Sequence, residues 1–333
     1  KAEKTGNASI IDLTKKSMVQ LEKKNLLGIT ARVALVLDAS GSMDGQYRRG
    51  DVQKVVNRLM PLAIHFDNDG SFECWAFAAK TTQLDEVTLS NVNDFINTTQ
   101  RGWKNWQVGA RFNQEIPAIE AVIDYYQKFT DKIPTFVLFV SDGGVGSRRE
   151  MQKILTQAAK LPIFWQFVGI GGRDYGALEK LDDLKGRVVD NCNFFSLDRI
   201  DSVSDERLYE LLLEEFPDYH FNKIEVKDKI QLNDTTPIIV SIKKRLKYWK
   251  DYTKTDSIIT PIYDSTTFVA VKRFQKRHGL KPDGVIGKGT VKALNFSKNE
   301  RREQIIANLE AKVANLETQI GQFSERANQA NLQ

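Results

Sequence analysis

The sequence predicts an α/β fold, a doubly wound and mostly parallel sheet, followed by a small helical module and a C-terminal helix. Apolar runs recur without polar alternation, the pattern of strands buried on both faces of a parallel sheet. Amphipathic stretches of helical length separate those runs, so strand and helix alternate. The charge also changes sign near residue 220. Residues 221–333 carry 21 Lys/Arg against 12 Asp/Glu, whereas residues 1–220 carry 27 against 31. Such a shift divides the 333-residue chain into two modules.

Residues 1–25 read as an amphipathic lead-in helix, with Ile10, Ile11, Leu13, Met18 and Leu21 interleaved with lysines. Strands are expected at Arg32–Leu37, Phe72–Phe77, Thr135–Val140 and Ile163–Val168. Helices are expected at Val52–Phe66, Glu115–Phe129, Arg148–Lys160 and Tyr175–Leu184, with a closing helix at Asp205–Phe216. The α/β domain therefore spans 26–219, and 220–230 is a linker. A helical module covers 231–298, and a last helix covers 299–333. In that helix Ile305, Leu309, Val313, Leu316, Ile320 and Phe323 form a short heptad seam. It suits either a coiled coil or packing back on the body.

Hydrophobic residues make up 41% and charged residues 27%, a globular composition. No apolar run is long enough to span a membrane, and the first residues hold no apolar segment of signal-peptide type. Two cysteines, Cys74 and Cys192, exclude a disulfide scaffold and a cysteine zinc cage.

Asp38-Ala39-Ser40-Gly41-Ser42 follows the first expected strand, where ligands bind in open α/β sheets. Asp38, Ser40 and Ser42 alternate with small residues, so one tight loop aims three oxygens at a point. These are hard donors, suited to Mg²⁺ or Mn²⁺. Asp142, in Ser141-Asp142-Gly143-Gly144, also follows an apolar strand. Two carboxylates at neighbouring strand ends repel, and a divalent cation relieves that repulsion. Trp103 and Trp106 suit either the rim of such a site or an anchor in the core. Gly169-Ile170-Gly171-Gly172 lacks a Walker lysine and reads as a turn. His65, at a helix end, reads as a capping or surface residue, and Cys74 as a small buried hydrophobe.

Asp-x-Ser-x-Ser after a buried strand, with a later strand-Ser-Asp-Gly, resembles the von Willebrand factor A domain and its metal-ion-dependent adhesion site. Val36-Leu37-Asp38-Ala39-Ser40-Gly41-Ser42-Met43, Leu59-Met60-Pro61-Leu62-Ala63 and the closing Leu-Leu-Glu-Glu-Phe-Pro-Asp-Tyr resemble the bacterial tellurium-resistance TerF-like branch. The resemblance implies a metal site of Asp38, Ser40, Ser42, Asn113 and Asp142, with Asn113 where the wider family carries threonine. It also implies Mg²⁺ (or Mn²⁺ or Ca²⁺), completed by an acidic side chain of a protein partner, a tellurite- or stress-related role, and the cytoplasm.

Residues 268–294 include Val271-Lys272-Arg273-Phe274-Gln275, His278-Gly279-Leu280, Asp283-Gly284-Val285-Ile286-Gly287 and Thr290. These motifs resemble the three-helix peptidoglycan-binding-like domain found in L,D-transpeptidases. That likeness implies a wall ligand contacted by Tyr263, Arg273, Lys276 and Arg277, and the cell envelope. The alternative is a helical spacer. No catalytic Cys/His pair accompanies either module, so the expected function is non-enzymatic. A magnesium hydrolase is the alternative for the paired carboxylates. No nucleic-acid partner is expected.

Overall fold

The computed structural model describes residues 7–320 except 25, 68–69, 132, 144–147, 173, 177, 181–190, 217–223, 254–258, 297–300, 302–304, 308 and 319. The chain divides into two units, Lys1–His220 and Phe221–Gln333.

The first unit is a six-stranded sheet in the order β3-β2-β1-β4-β5-β6. Its strands are β1 (Arg32–Asp38), β2 (Glu73–Phe77), β3 (Thr81–Gln83), β4 (Thr135–Ser141), β5 (Ile163–Ile170) and β6 (Cys192–Leu197). All neighbours run parallel except β2 and β3. The unbroken apolar runs have the cause inferred from sequence. Every residue of β4 and β5 is buried, as are Val33 to Asp38 of β1.

Successive side chains of β1 alternate between two cores. Val33, Leu35 and Leu37 join one, and Ala34 and Val36 the other. The first core is closed by α1 (Ala8–Lys23), α3 (Asp51–Phe66) and α7 (Asp205–Leu212), and α2 (Asp44–Arg48) lies between β1 and α3. The second is closed by α5 (Glu115–Tyr126) and α6 (Arg148–Ala158), with α4 (Phe95–Thr98) preceding α5 in the chain. Helix α1 is capped by Asn7 and buries Ile10, Leu13 and Leu21. Lys16, at the edge of that face, pairs with Asp12 and Asp205.

Strands β3 and β6 are additions to the expected set. Residues of β3 are partly exposed, and most of β6 beyond Asn193 is too, so neither edge strand has the all-buried pattern of the central ones. Of the expected helix at Tyr175–Leu184, only Leu178–Lys180 forms a single turn, and 181–184 lie outside the described residues. The expected helix at Asp205–Phe216 ends at Leu212. Part of the expected linker, 220–223, and Phe323 of the heptad seam also lie outside the described residues. Among the described residues no helix is long and apolar enough to cross a membrane.

The second unit packs α8 (Ile238–Tyr248), α9 (Ser265–Arg277) and α10 (Lys288–Leu294) around Ile239, Ile242, Leu246, Tyr263, Val271, Phe274, Ile286 and Leu294. Helix α9 is capped by the Asp264 carboxylate, which accepts from Thr267 N.

Candidate metal centre

Strand order brings the two acidic loops together. Strand β1 turns toward β2 on one side and lies beside β4 on the other, the crevice where open α/β sheets bind ligands. Leu37 pairs with Val140, so the ends of β1 and β4 arrive side by side.

Asp38 is fully buried. Its Oδ1 accepts Ser40 N–H at 2.8 Å and its Oδ2 accepts the Ser141 hydroxyl at 2.7 Å. Ser40 Oγ lies 3.0 Å from Ser42 Oγ, and the Ser42 hydroxyl donates to Asp142 Oδ1 at 2.8 Å. Gln46 Nε2 donates to Asp142 Oδ2 and to the Ile170 carbonyl, both at 3.2 Å. Asn113 Nδ2 reaches Ser141 Oγ at 3.5 Å, while its Oδ1 is buried without a hydrogen-bond partner. The structure therefore places Asp38, Ser40, Ser42, Asn113 and Asp142 in one connected cluster.

Burial pushes the Asp38 carboxyl above the usual carboxylate range. Hydrogen bonds from Ser40 and Ser141 oppose the shift, and the Asp142 charge adds to it. Burial also raises Asp142, against its bonds from Ser42 and Gln46. Glu115, the first residue of α5, is a buried carboxylate within electrostatic reach of Asp38 that the sequence reading missed. It is 4% exposed, its Oε1 has no hydrogen-bond partner, and burial with the nearby Asp38 charge raises its carboxyl to about 7. The signal available was the two-residue step from Asn113 into the start of a helix.

A supporting layer holds the Asp38 loop. Tyr47 donates its hydroxyl to the Asp38 carbonyl at 2.9 Å and stacks on Trp103, with ring centroids 4.7 Å apart. Trp106 meets Tyr47 edge-on and donates Nε1–H to the Thr99 carbonyl. Both tryptophans are buried, which decides for the core anchor over the rim. Arg111 donates to the carbonyls of Ala39 and Ser40, pairs with Asp44 at 2.7 Å and lies over the Trp103 ring. The glycines at the end of β5 and in the turn after it are packing devices. A Cβ on Gly172 would sit 2.1 Å from the Asp142 carbonyl, and one on Gly169 would sit 2.3 Å from the Tyr175 ring.

Two expectations for single residues in this unit meet the structure differently. His65 is half-buried and joins α3 to α1, its Nε2 lying 3.2 Å from the Thr14 carbonyl, rather than standing at the surface. Cys74 is fully buried, as a small hydrophobe would be.

In the second unit the expected ligand residues separate. Tyr263 is corrected: it is fully buried in the core and donates its hydroxyl to the Gly284 carbonyl at 2.5 Å. An aromatic residue close to basic ones in sequence need not share their surface, because its ring is worth more in the core. Arg277 bonds Asp251 and the Trp249 carbonyl, both at 2.6 Å. Lys276 is exposed, and Arg273 borders an open cleft of about 310 Å³ with Asp251, Tyr252, Ser265 and Thr266. The motif residues Gln275, Asp283, Gly284 and Thr290 form a structural lock. Gln275 Nε2 donates to Asp283 Oδ1, the Val285 carbonyl and Thr290 Oγ1, and its Oε1 accepts Gly284 N–H.

Among the described residues no group of three or more His, Cys, Asp or Glu side chains is arranged to hold a metal. The β1–β4 cluster has a different make-up, two carboxylates with hydroxyl and amide oxygens.

A doubly wound sheet with Asp-x-Ser-x-Ser at the end of a central strand places this chain in the von Willebrand factor A class. The chain belongs to the family described as vWA found in TerF C terminus, whose model matches residues 30–247. A peptidoglycan binding domain model matches residues 235–294. The two matches share 235–247, most of α8.

The uncharacterized protein YcbR of Bacillus subtilis (strain 168) is 37% identical over 237 residues, covering 71% of this chain and 95% of its own length. Protein BONZAI 2 of Arabidopsis thaliana is 24% identical over 171 residues, 47% of this chain and 29% of that protein. Among solved structures, mussel byssus proximal thread matrix protein 1, with a zinc-occupied metal-ion-dependent adhesion site, has a TM-score of 0.38 and 14% identity. A von Willebrand factor type A protein from Catenulispora acidiphila has a TM-score of 0.38 and 10% identity. These two alignments cover 58% and 62% of this chain and 48% and 44% of theirs, so this chain spans about half their length.

Proposed function

We propose that the first unit is a divalent-metal-dependent protein-interaction module without catalytic activity, and that Asp38, Ser40, Ser42, Asn113 and Asp142 hold the metal. The observation that carries this reading is the cluster of oxygen donors at the ends of β1 and β4, with Asn113 Oδ1 buried and unpartnered beside it. All its donors are hard oxygens, so the residues fit Mg²⁺, Mn²⁺ or Ca²⁺. The ion would neutralise two carboxylates that burial disfavours in charged form. It would also offer a coordination position to an acidic side chain of a protein partner.

Isothermal titration with Mg²⁺, Mn²⁺, Ca²⁺ and Zn²⁺ tests the reading. Binding in the wild type and its loss in Asp142→Ala support it. Absence of binding up to about 1 mM of every ion refutes it. Turnover of phosphoesters with added Mg²⁺ or Mn²⁺ would refute the non-enzymatic part. We extend the reading to a role in tellurite or envelope stress on family membership alone. Unaltered tellurite tolerance in a strain lacking the gene would remove that part.

For the second unit we propose peptidoglycan binding at the cleft beside α9, supported by the family match and by the exposed Arg273 at its edge. Co-sedimentation of the whole chain with purified sacculi tests it. Loss of pelleting in Arg273→Glu is expected, and no pelleting of the wild type at physiological salt refutes it.

A further inference from the structure

The C-terminal residues present an apolar stripe that shares Leu309, Val313, Leu316 and Ile320 with the expected seam but starts at Ile306 rather than Ile305. Ile306, Leu309 and Val313 line one open groove of about 340 Å³, flanked by Glu310 and Glu317. Counting from Ile306, the apolar positions 306, 309, 313, 316 and 320 follow steps of 3, 4, 3 and 4, an uninterrupted a/d heptad. All five are open to solvent: Ile306 45%, Leu309 55%, Val313 53%, Leu316 58% and Ile320 67% exposed. None belongs to a hydrophobic core among the described residues. Residues 309–318 are nonetheless helical, and an isolated helix of that length is marginal in water.

The residue types say what covers the stripe. The a positions hold β-branched Ile306, Val313 and Ile320, and the d positions hold Leu309 and Leu316. That combination selects two parallel strands over trimers or tetramers. The flanking charges agree. Lys312 falls at g and Glu317 at the following e, so a parallel pairing sets Lys312 of each copy beside Glu317 of the other. An antiparallel pairing sets e against e and g against g. It would bring Glu310 and Glu317 toward the same glutamates of the second copy, and lysine toward lysine.

We propose that residues 306–320 form a parallel, two-stranded coiled coil with a second copy of this chain. The dimer then carries two copies of the β1–β4 cluster and two of the small helical module. Linked sites of this kind convert weak single contacts into avid binding to a repetitive surface.

Sedimentation equilibrium of the full chain tests the proposal. A monomer–dimer equilibrium with a Kd on the order of 10 µM is expected for so short a coil. Leu316→Asp should weaken it by at least ~100-fold, and Thr318→Asp, on the outer face, should leave it unchanged. Glu317→Lys should weaken the dimer, and Lys312→Glu added to it should restore association. That rescue cannot come from a folding defect. For orientation, Ile306→Cys should form a disulfide-linked dimer on oxidation, since a positions face each other only in the parallel arrangement. Cys74 and Cys192 are fully buried and do not compete. A monomer up to about 100 µM, a dimer indifferent to Leu316→Asp, or a trimer would overturn the proposal. Failure of the Ile306→Cys dimer to cross-link on oxidation would overturn its parallel direction.

Discussion

Asp142→Ala separates the structural from the metal-binding use of the β1–β4 cluster. The substitution removes two hydrogen bonds, from Ser42 Oγ at 2.8 Å and Gln46 Nε2 at 3.2 Å. Bonds to a carboxylate contribute about 1.5–3 kcal/mol each when the acceptor is fully used. Two terms work the other way: burial disfavours the Asp142 charge, and that charge in turn disfavours ionisation of Asp38 at the neighbouring strand end, a penalty the substitution removes. We expect these opposing terms nearly to cancel, leaving a net change in metal-free stability of about 1 kcal/mol or less, roughly 2–4 °C for a domain of this size.

The metal effect is larger. A cation at about 100 times its Kd stabilises the folded state by about 2.7 kcal/mol, which corresponds to roughly 5–10 °C. Differential scanning calorimetry in chelator and in Mg²⁺ or Mn²⁺ reads both quantities on one protein. The wild type should gain the full shift and Asp142→Ala almost none, with similar midpoints in chelator. Equal metal shifts in the two proteins would refute the assignment of Asp142. A mutant that collapses in chelator would refute the claim that opposing terms nearly cancel.

Gly172→Ala should destabilise the first unit by about 1–3 kcal/mol, because the new Cβ meets the Asp142 carbonyl at 2.1 Å; a lowered midpoint together with a reduced metal shift in calorimetry checks it. Gln275→Leu breaks the bonds to Asp283, Gly284, Val285 and Thr290 and should cost the second unit about 3–4 kcal/mol. Denaturation followed at Trp249, which packs on His278 and Phe274, reads that loss; a cost below about 1 kcal/mol would contradict the lock. Burial depresses His65 and His278 below the ordinary histidine range, so the unfolded chain takes up these protons more readily. Their contribution to stability is complete above about pH 6.5 and is lost as pH falls below it. Thermal midpoints near pH 7.5 and pH 5.5 should differ less in His65→Gln than in the wild type.

Much of the fold was readable because its determinants are local. Strands β1, β4 and β5 are buried on both faces, and continuous apolar runs report that directly. Strands β3 and β6 lie at the sheet edges, partly exposed, and short mixed segments carry no comparable signature. Asp38, Ser40 and Ser42 were readable as a group because one tight loop holds them. Asp142 was readable because it follows the next strongly apolar strand but one. Glu115, Gln46 and Arg111 were not, since each acts through a partner distant in sequence: Glu115 beside Asp38, Gln46 on Asp142 and Arg111 on Ala39 and Ser40.

From sequence alone came the two modules, the alternating strands and helices, the acidic loop and the motifs of the small helical unit. Periodicity, capping and turn chemistry act within a few residues, and the chain order displays them. Only the tertiary structure decided that β1 lies next to β4, which sets Asp38 and Asp142 into one hydroxyl-bridged cluster. It also decided that Trp103 and Trp106 anchor Tyr47 in the core, and that Tyr263 is buried rather than presented. Strand order and burial arise from packing between residues tens of positions apart, where an aromatic side chain fits a core or a surface equally well until the partners arrive.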